Sequence, residues 1–108
     1  MRSPLEAASL LYVQCAVRIT YDPAKNEWNI RKRGLTFDAA AEFDFEGAFY
    51  AVDERHDYGE TRYVAIGMLG ARLHVLCFTE IPDGIRVISF RKANAREVKR
   101  YAKAKTTD

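Results

Sequence analysis

The residues most able to do chemistry lie in one stretch near the C-terminus, where a basic strand leads into a helix. Arg86, Arg91 and Lys92 belong to or directly follow a run of β-branched and aromatic residues, and Glu97 and Tyr101 lie four residues apart beyond it. Residues four apart share a helix face. A guanidinium group matches phosphate oxygens bidentately. These residue types therefore predict contacts to a polyanion.

Cleavage of RNA is a reaction that such residues can carry out without a metal. The 2′-hydroxyl is an internal nucleophile beside the phosphate, so a protein must orient the backbone, neutralise the phosphorane and move protons. Arg62, at the start of another predicted strand, is a further candidate. Because strand side chains alternate, we expect Arg86 to emerge on the opposite side of its strand from Arg91.

Several of these residues also have purely structural interpretations. Asn94 and Glu97 have the types and spacing of a capping box, which is the more frequent role for a glutamate at that position. Tyr101 is expected on the packing face of the helix with its hydroxyl near the surface. Trp28 is expected in the core rather than on a base-stacking surface.

Other chemistries have little support. The sequence contains no metal-ligand cluster, phosphate-cradling glycine loop, nucleophile elbow or dinucleotide fingerprint. His56 and His74 are isolated, and we expect structural or solvated roles for them. Cys15 and Cys77 form neither a disulfide framework nor a zinc site, and Cys77 is expected to be a small buried hydrophobe in a reducing cytoplasm. No metal or cofactor is expected.

The charges are unevenly distributed along the chain. From Arg86 to the C-terminus there are eight basic and two acidic residues (+6), whereas residues 1–85 hold nine basic and thirteen acidic residues (−4), which together give the net charge of +2. This polarity predicts a polyanionic or acidic protein partner.

Length and composition indicate one globular domain of 108 residues. No segment approaches the ~20 apolar residues that cross a bilayer. We interpret residues 1–16 as an N-terminal extension or the product of an upstream start codon, with a secretory signal as the alternative.

The elements that position the candidate residues follow from caps and turns. Asp22-Pro23 predicts a helix start, Gly34 its end, and Thr36 the N-cap of a second helix. Gly70-Ala71 and residues 81–84 predict tight turns in an antiparallel meander. The predicted strands cover 18–21, a short segment 48–52, 61–69, 72–80 and 85–91, and a C-terminal helix covers 94–103. We predict an α+β fold, a small antiparallel sheet with helices packed on it.

At this point the sequence resembles the BrnT toxins, ribonucleases of type II toxin–antitoxin modules. The resemblance spans about residues 18–102 and rests on an ordered series rather than on one motif. The matching segments are Tyr21-Asp22-Pro23-Ala24-Lys25 with Asn29, Lys32-Arg33-Gly34 with Phe37 and Ala40, Glu60-Thr61-Arg62-Tyr63, Ile66-Gly67, Val75 to Thr79, and Arg86 to Ala93 with Glu97 and Tyr101.

The resemblance implies a RelE-like domain over residues 17–105, with two N-terminal helices and a C-terminal helix. It implies an endoribonuclease that cleaves RNA and inhibits translation in the cytoplasm. It also implies a BrnA-like DNA-binding antitoxin. The protein would contact operator DNA only through that antitoxin. The implied catalytic residues are Arg62, Arg91, Glu97, Tyr101 and Lys25, and the implied substrate-binding residues are Arg86, Lys92, Lys32 and Arg33.

One position departs from the family pattern. The family usually has Lys-His-Gly after the first helix, whereas this chain has Lys32-Arg33-Gly34. Proton transfer by that histidine therefore cannot apply here. We expect Arg91 and Arg62 to contact the scissile phosphate and Arg86 to guide the strand, with proton transfer left open among Lys25, Glu97 and Tyr101.

Two interpretations without catalysis are also open. A helix, three antiparallel strands and a helix is the layout of double-stranded RNA-binding domains, and the basic segment 91–96 faintly resembles their phosphate-contacting segment. Alternatively, the basic face binds only an acidic protein.

Overall fold

A five-stranded sheet with helices on both of its faces organises the protein. The computed structural model describes residues 18–54, 57 and 59–106. The strands are β1 (Arg18–Tyr21), β2 (Phe49–Val52), β3 (Tyr63–Leu69), β4 (Arg72–Ile81) and β5 (Gly84–Lys92), and the α-helices are α1 (Pro23–Arg33) and α2 (Ala95–Thr106). The α+β class is confirmed. The predicted extension 1–16, Cys15 and His56 lie outside the described residues.

The predicted boundaries of α1 are confirmed by its caps. The Asp22 carboxylate accepts a hydrogen bond from the Ala24 backbone N–H at 2.9 Å, and Pro23 occupies the first turn. Gly34 ends the helix in the left-handed region with φ 66°, a conformation that glycine adopts without a Cβ penalty.

The second predicted helix forms as a 3₁₀-helix, Phe37–Glu42, rather than as an α-helix. Thr36 caps it as predicted, accepting from the Asp38 N–H at 3.2 Å. Phe37, Ala40 and Phe43 are all buried. Since side chains three apart eclipse in a 3₁₀-helix, this spacing places all three on the core.

The sheet is mixed, which corrects the prediction of a purely antiparallel one. Its strand order is β1-β5-β4-β3-β2, and β3, β4 and β5 form the predicted antiparallel meander. β1, however, pairs with β5 in parallel. A Cβ at Gly84 would overlap the carbonyl group of Arg18. Glycine at this position therefore lets the two strands approach.

A β-bulge in β5 reverses one prediction about side-chain direction. Val87 pairs with Phe78 and Ser89 pairs with Cys77, so Ile88 is an extra residue in the strand. Val87 and Phe90 consequently both face the core cluster. A bulge shifts the alternation of a strand by one residue. Arg86 and Arg91 therefore lie on the same face of the sheet, not on opposite faces.

The two faces of the sheet differ in what covers them. The core face packs against the aromatic residues of the 3₁₀-helix and the segment after it, including Phe37, Phe43 and Phe45. The other face, which we call the arginine face, carries Arg86 and Arg91. Helix α2 covers one end of it, where the Arg100 guanidinium lies 5.8 Å from the centroid of the Phe49 ring.

Candidate functional site

Arg91 is held in a fixed position where β5 meets α2. Its two terminal nitrogens donate to the two carboxylate oxygens of Glu97 at 2.8 and 2.7 Å. Glu97 also accepts from the Asn94 N–H at 2.9 Å, while the Asn94 side chain accepts from the Glu97 N–H at 2.9 Å. The predicted capping box is therefore confirmed. The same carboxylate additionally binds the arginine in a bidentate pair.

The hydrogen bonds from Arg91 affect the protonation of the Glu97 carboxyl. Hydrogen bonding from Arg91 is the main cause that lowers the pKa of the Glu97 carboxyl below its usual range. Such hydrogen bonding favours the ionised carboxylate, which makes Glu97 a weaker proton acceptor and an unfavourable proton donor. The geometry favours Glu97 as a residue that positions Arg91.

A second cluster on the arginine face is centred on Glu60. Its carboxylate accepts from Arg86 at 2.7 Å and from the Nε of Arg62 at 3.1 Å. Hydrogen bonds from these two arginines lower the pKa of Glu60, with Arg86 the larger cause. Arg62 lies one residue before β3 rather than within it. Glu60 thus links β5 to the residue that precedes β3, and these two strands lie on either side of β4.

Sequence reasoning did not assign Glu60 to the site. Its position two residues before Arg62 was the available signal, but an acid in a charged loop is ordinarily solvated. The contact with Arg86 joins residues 26 positions apart and depends on the strand register. Only the folded sheet brings them together.

The two clusters are separated along the arginine face. Arg86 pairs with Thr79 and Arg91 pairs with Val75 on the neighbouring strand β4. Four residues of a strand span about 13 Å. Ser89 and Cys77 form the row between the clusters, and Cys77 is buried as predicted. The structure therefore groups Arg62 with Arg86 and places Arg91 apart from them.

A basic cavity of about 290 Å³ adjoins Arg91. Arg33 and Lys92, both predicted to bind substrate, line it together with Arg91, His74, Gly34 and Leu35. His74 is buried, as a structural role requires. Its Nδ1 lies 2.9 Å from the Arg72 carbonyl oxygen, and its ring packs on Phe90. Three cationic side chains thus surround one cavity.

Asn29 fixes Arg33 at the wall of this cavity. The Asn29 side chain, only 1% exposed, donates to the carbonyl oxygens of Leu35 and Phe90 at 2.9 and 2.8 Å. Its own oxygen accepts from Arg33 at 3.0 Å. Asn29 therefore links α1 to β5 and orients a cation. Sequence reasoning missed this role, because a polar residue on a short helix gives no sign of burial.

A second cavity, of about 200 Å³, lies between α1 and the bulge of β5. It is lined by Lys25, Trp28, Asn29, Arg33, Phe37, Ile88 and Ser89. Lys25 and Arg33 therefore both line this second cavity, and Lys25 is not among the residues that line the basic one.

The prediction that Trp28 belongs to the core is wrong. Its side chain is 45% exposed, and the Arg33 guanidinium lies 5.0 Å from the centroid of its ring. The buried residue of α1 is Asn29, one position further along. The hydrogen bonds of Asn29 to Leu35 and Phe90 orient the helix and turn Trp28 outward.

Two further predicted site residues, Tyr101 and Lys32, line neither cavity. The Tyr101 hydroxyl donates to the Gly47 carbonyl oxygen at 3.4 Å, and its ring packs with Lys105. Tyr101 thus contacts the loop before β2, and its catalytic role remains a prediction. Lys32 is exposed near the end of α1.

Among the described residues, no three His, Cys, Asp or Glu side chains are grouped to hold a metal ion. No helix in this part of the chain is long and apolar enough to cross a membrane.

Comparison with known families adds one finding. Residues 21–97 match the family described as "Ribonuclease toxin, BrnT, of type II toxin-antitoxin system". The matched region includes both glutamate–arginine clusters and both cavities. No curated protein matches the sequence.

Proposed function

The chain belongs to the BrnT family of ribonuclease toxins, and from this premise we propose that it is a RelE-like, metal-independent endoribonuclease that inhibits translation in the cytoplasm. The observation that carries the proposal is the Arg91–Glu97 pair beside a basic cavity that Arg33 and Lys92 also line. A family of type II toxins implies an antitoxin, and we propose that it is BrnA-like and brings the operator-binding domain.

The proposed reaction uses the RNA's own 2′-hydroxyl as the nucleophile. Its oxygen attacks the adjacent phosphorus, the bond from phosphorus to the 5′-oxygen breaks, and the products are a 2′,3′-cyclic phosphate and a 5′-hydroxyl. One proton leaves the 2′-hydroxyl and one joins the departing 5′-oxygen. Arg91 contacts the scissile phosphate and stabilises the charge that develops on its oxygens.

The other cations have supporting roles in this proposal. Arg33 and Lys92 bind the RNA backbone beside Arg91, and Arg62 and Arg86 guide the strand along the sheet. Arg33 stands where the family usually has histidine, so this chain places a permanent charge there instead of a proton carrier. Of the three residues considered for proton transfer, Lys25 is retained because it lines the cavity that shares Arg33 with the basic one, whereas Glu97 positions Arg91 and Tyr101 contacts Gly47.

Cleavage assays in EDTA test the proposal. A 5′-labelled single-stranded RNA should be cut to products with 2′,3′-cyclic phosphate ends, and EDTA should not reduce the rate. The same sequence carrying 2′-deoxyribose throughout should bind and remain intact, since it lacks the nucleophile. Activity that EDTA abolishes and magnesium restores would overturn the metal-independent reaction.

A non-catalytic RNA-binding protein makes the opposite prediction. It would bind both oligonucleotides, cut neither, and leave growth unchanged when its gene is induced. Growth arrest that a cognate antitoxin reverses would support the toxin.

A further inference from the structure

We propose that the cleft between α1 and the second half of β5 holds one unpaired nucleotide, with its base beside Trp28 and its phosphate in the basic cavity. The inference rests on the proposed function and specifies its substrate as single-stranded RNA. It concerns the two cavities described above, which we call the base cavity (about 200 Å³) and the phosphate cavity (about 290 Å³).

The cleft exists because β1 is shorter than β5. β1 pairs with β5 only as far as Val87, after which the chain turns at Asp22 into α1. Helix α1 therefore takes the place of a neighbouring strand beside the second half of β5, and Asn29 ties the two elements through the Phe90 carbonyl. A helix packed beside a strand leaves open space that a paired strand would fill.

The base cavity has the size and chemistry for a planar ring. Its volume lies below the roughly 300–1,000 Å³ of sites for drug-sized ligands. The lining combines apolar surface from Trp28, Phe37 and Ile88 with hydrogen-bonding groups from Ser89 and Asn29. Stacking on an aromatic face tolerates any base, because every base has a π-face.

Trp28 and Arg33 form one wall of this cavity. The guanidinium lies 5.0 Å from the indole centroid, and both residues line the base cavity. Indole rings and guanidinium planes are the surfaces on which proteins stack unpaired bases. Trp28 is also 45% exposed, so the surface is accessible.

Arg33 connects the two cavities, because it lines both of them. Beyond it, Arg91 and Lys92 supply further positive charge at the phosphate cavity. Among the described residues that line either cavity, none is acidic. An apolar ring site and a cationic site that share one arginine match the two halves of a nucleotide.

An unpaired base fits this cleft better than a duplex does. In A-form RNA the bases are stacked and paired, so they cannot reach a cavity between a helix and a strand edge. Single strands present bases that stack on aromatic side chains while cations follow the backbone. The cleft therefore selects single-stranded RNA.

The fluorescence of Trp28 tests the proposal directly, since the chain contains one tryptophan. The probe is a 2′-O-methyl RNA hexamer, which cannot be cleaved because its 2′-oxygen carries no proton. We expect saturable quenching by the single strand and at least about tenfold weaker binding of the matching duplex. Unchanged fluorescence at saturating single strand, or equal binding of the duplex, would overturn the proposal.

Variants separate stacking from general charge attraction. Measured by anisotropy of the labelled hexamer, Trp28→Ala should weaken binding about tenfold and Trp28→Phe by no more than about threefold, because phenylalanine keeps an aromatic face. Ile30→Ala is the matched control, since Ile30 lies on the same helix with the same 45% exposure but lines neither cavity. A Trp28→Ala protein that binds as tightly as the wild type would overturn the proposal.

A hexaglutamate peptide distinguishes the nucleotide from an acidic protein segment. It carries negative charge without planar bases, and we expect it to leave the Trp28 fluorescence unchanged. Equal quenching by the peptide would overturn the assignment of the base cavity. If the protein cleaves RNA but its Trp28 fluorescence does not change with the single-stranded hexamer, this inference is refuted and the proposed function stands. Quenching without any cleavage would refute the proposed function instead.

Discussion

Two glutamates hold arginines on the same face of the sheet, and they hold them in different ways. Glu97 belongs to a capping box at the start of α2 and faces Arg91 through two hydrogen bonds. Glu60 lies in a loop and is shared between Arg62 and Arg86 from either side of β4. A helix start takes part in the first pair, whereas the hydrogen bonds given above for the second cluster join one side chain to another.

The difference indicates which arginine is prepared for chemistry. Arg91 lines the phosphate cavity, and its carboxylate partner fixes its orientation in advance. Arg62 and Arg86 line neither cavity and share one negative charge. Stabilising a transition state requires donors that are already oriented, whereas guiding a strand requires only charge. We therefore expect a catalytic effect at Arg91 and a binding effect at Glu60.

The largest expected effect is at Arg91. Arg91→Ala should lower the cleavage rate about 100-fold or more, since removal of one oriented donor to a developing charge typically costs 10²–10³. Cells in which the Arg91→Ala gene is induced should grow, because the variant no longer cleaves RNA at the wild-type rate. The measurement is single-turnover cleavage of a labelled RNA, with circular dichroism to show that the protein folds.

Arg86→Ala is the matched control for Arg91, because it removes the same group from the same strand and the same face. It should lower the cleavage rate no more than about tenfold, mainly through weaker binding of RNA. Equal losses in the two variants would show that the clusters do not differ in the way proposed.

Substitutions of Glu97 separate positioning from proton transfer. Glutamine also serves as the third residue of a capping box, so Glu97→Gln should keep the helix while weakening its hold on Arg91. We expect a cleavage rate about tenfold lower with an unchanged pH profile, against the 10²–10⁴ that a general base contributes. A loss beyond this range, together with a lost titration in the pH profile, would make Glu97 the base.

Glu97→Ala serves as the comparison for stability. It removes the Glu97 half of the capping box as well as the ion pair, while Asn94 still caps the helix, and it should lower the free energy of unfolding by about 1 kcal/mol. Urea unfolding measures this loss. Equal stability of the two variants would mean that the side-chain half of the capping box at position 97 contributes nothing in solution.

The effect at Glu60 should be smaller and concern binding. Glu60→Gln removes the negative charge between Arg62 and Arg86, which leaves both more available to phosphates. We expect tighter RNA binding by a few-fold and a steeper salt dependence, by about 0.7 in the slope of log K against log salt per added contact.

Glu42→Gln removes the same charge from the exposed end of the 3₁₀-helix. Its salt slope should stay at the wild-type value. If both variants shift the slope equally, net charge rather than the Glu60 cluster explains the effect.

These clusters also show how far the sequence predicted the molecule. The caps of α1, the meander and the capping box at Asn94 and Glu97 were predicted correctly, because each depends on neighbouring residues. The parallel pairing of β1 was not predicted, since it joins residues 66 positions apart, such as Arg18 and Gly84.

The arrangement of the candidate site residues was predicted less completely, because it also depends on contacts between residues far apart in the chain. The types of residue at Arg91 and Glu97 were sufficient to predict a phosphate contact for the first and a capping box for the second, but not the direct pair between them. One inserted residue, Ile88, reversed the expected direction of Arg86, and no local signal marks it as a bulge. Glu60 and Asn29 acquire their roles through partners more than 20 residues away. Register and burial, not residue type, decide such contacts.

The smallest expected effect is the pH dependence of stability. The pKa values of Glu97 and Glu60 are lowered in the folded protein below the ordinary value of 4.5, mainly by hydrogen bonds from Arg91 and Arg86 respectively. The folded state then binds fewer protons than the unfolded chain as the pH falls below about 4.5. The stability that the pairs contribute is therefore present above this pH and is lost as the pH falls through the folded-state pKa values.

Urea midpoints of the wild type, Glu97→Gln and Glu60→Gln at pH 6 and pH 3 test this pH dependence. At pH 6 each variant should be less stable than the wild type, and at pH 3 the differences should be smaller, because the wild-type carboxylates lose their charge as the pH falls through their lowered folded-state pKa values. Glu97→Gln should show the larger change, since the Glu97 side chain is 15% exposed and that of Glu60 is 27% exposed, and exposure weakens an ion pair. A larger change at Glu60 would reverse the order of the two clusters. Differences that stay constant with pH would show that neither pair stabilises the fold through its charge.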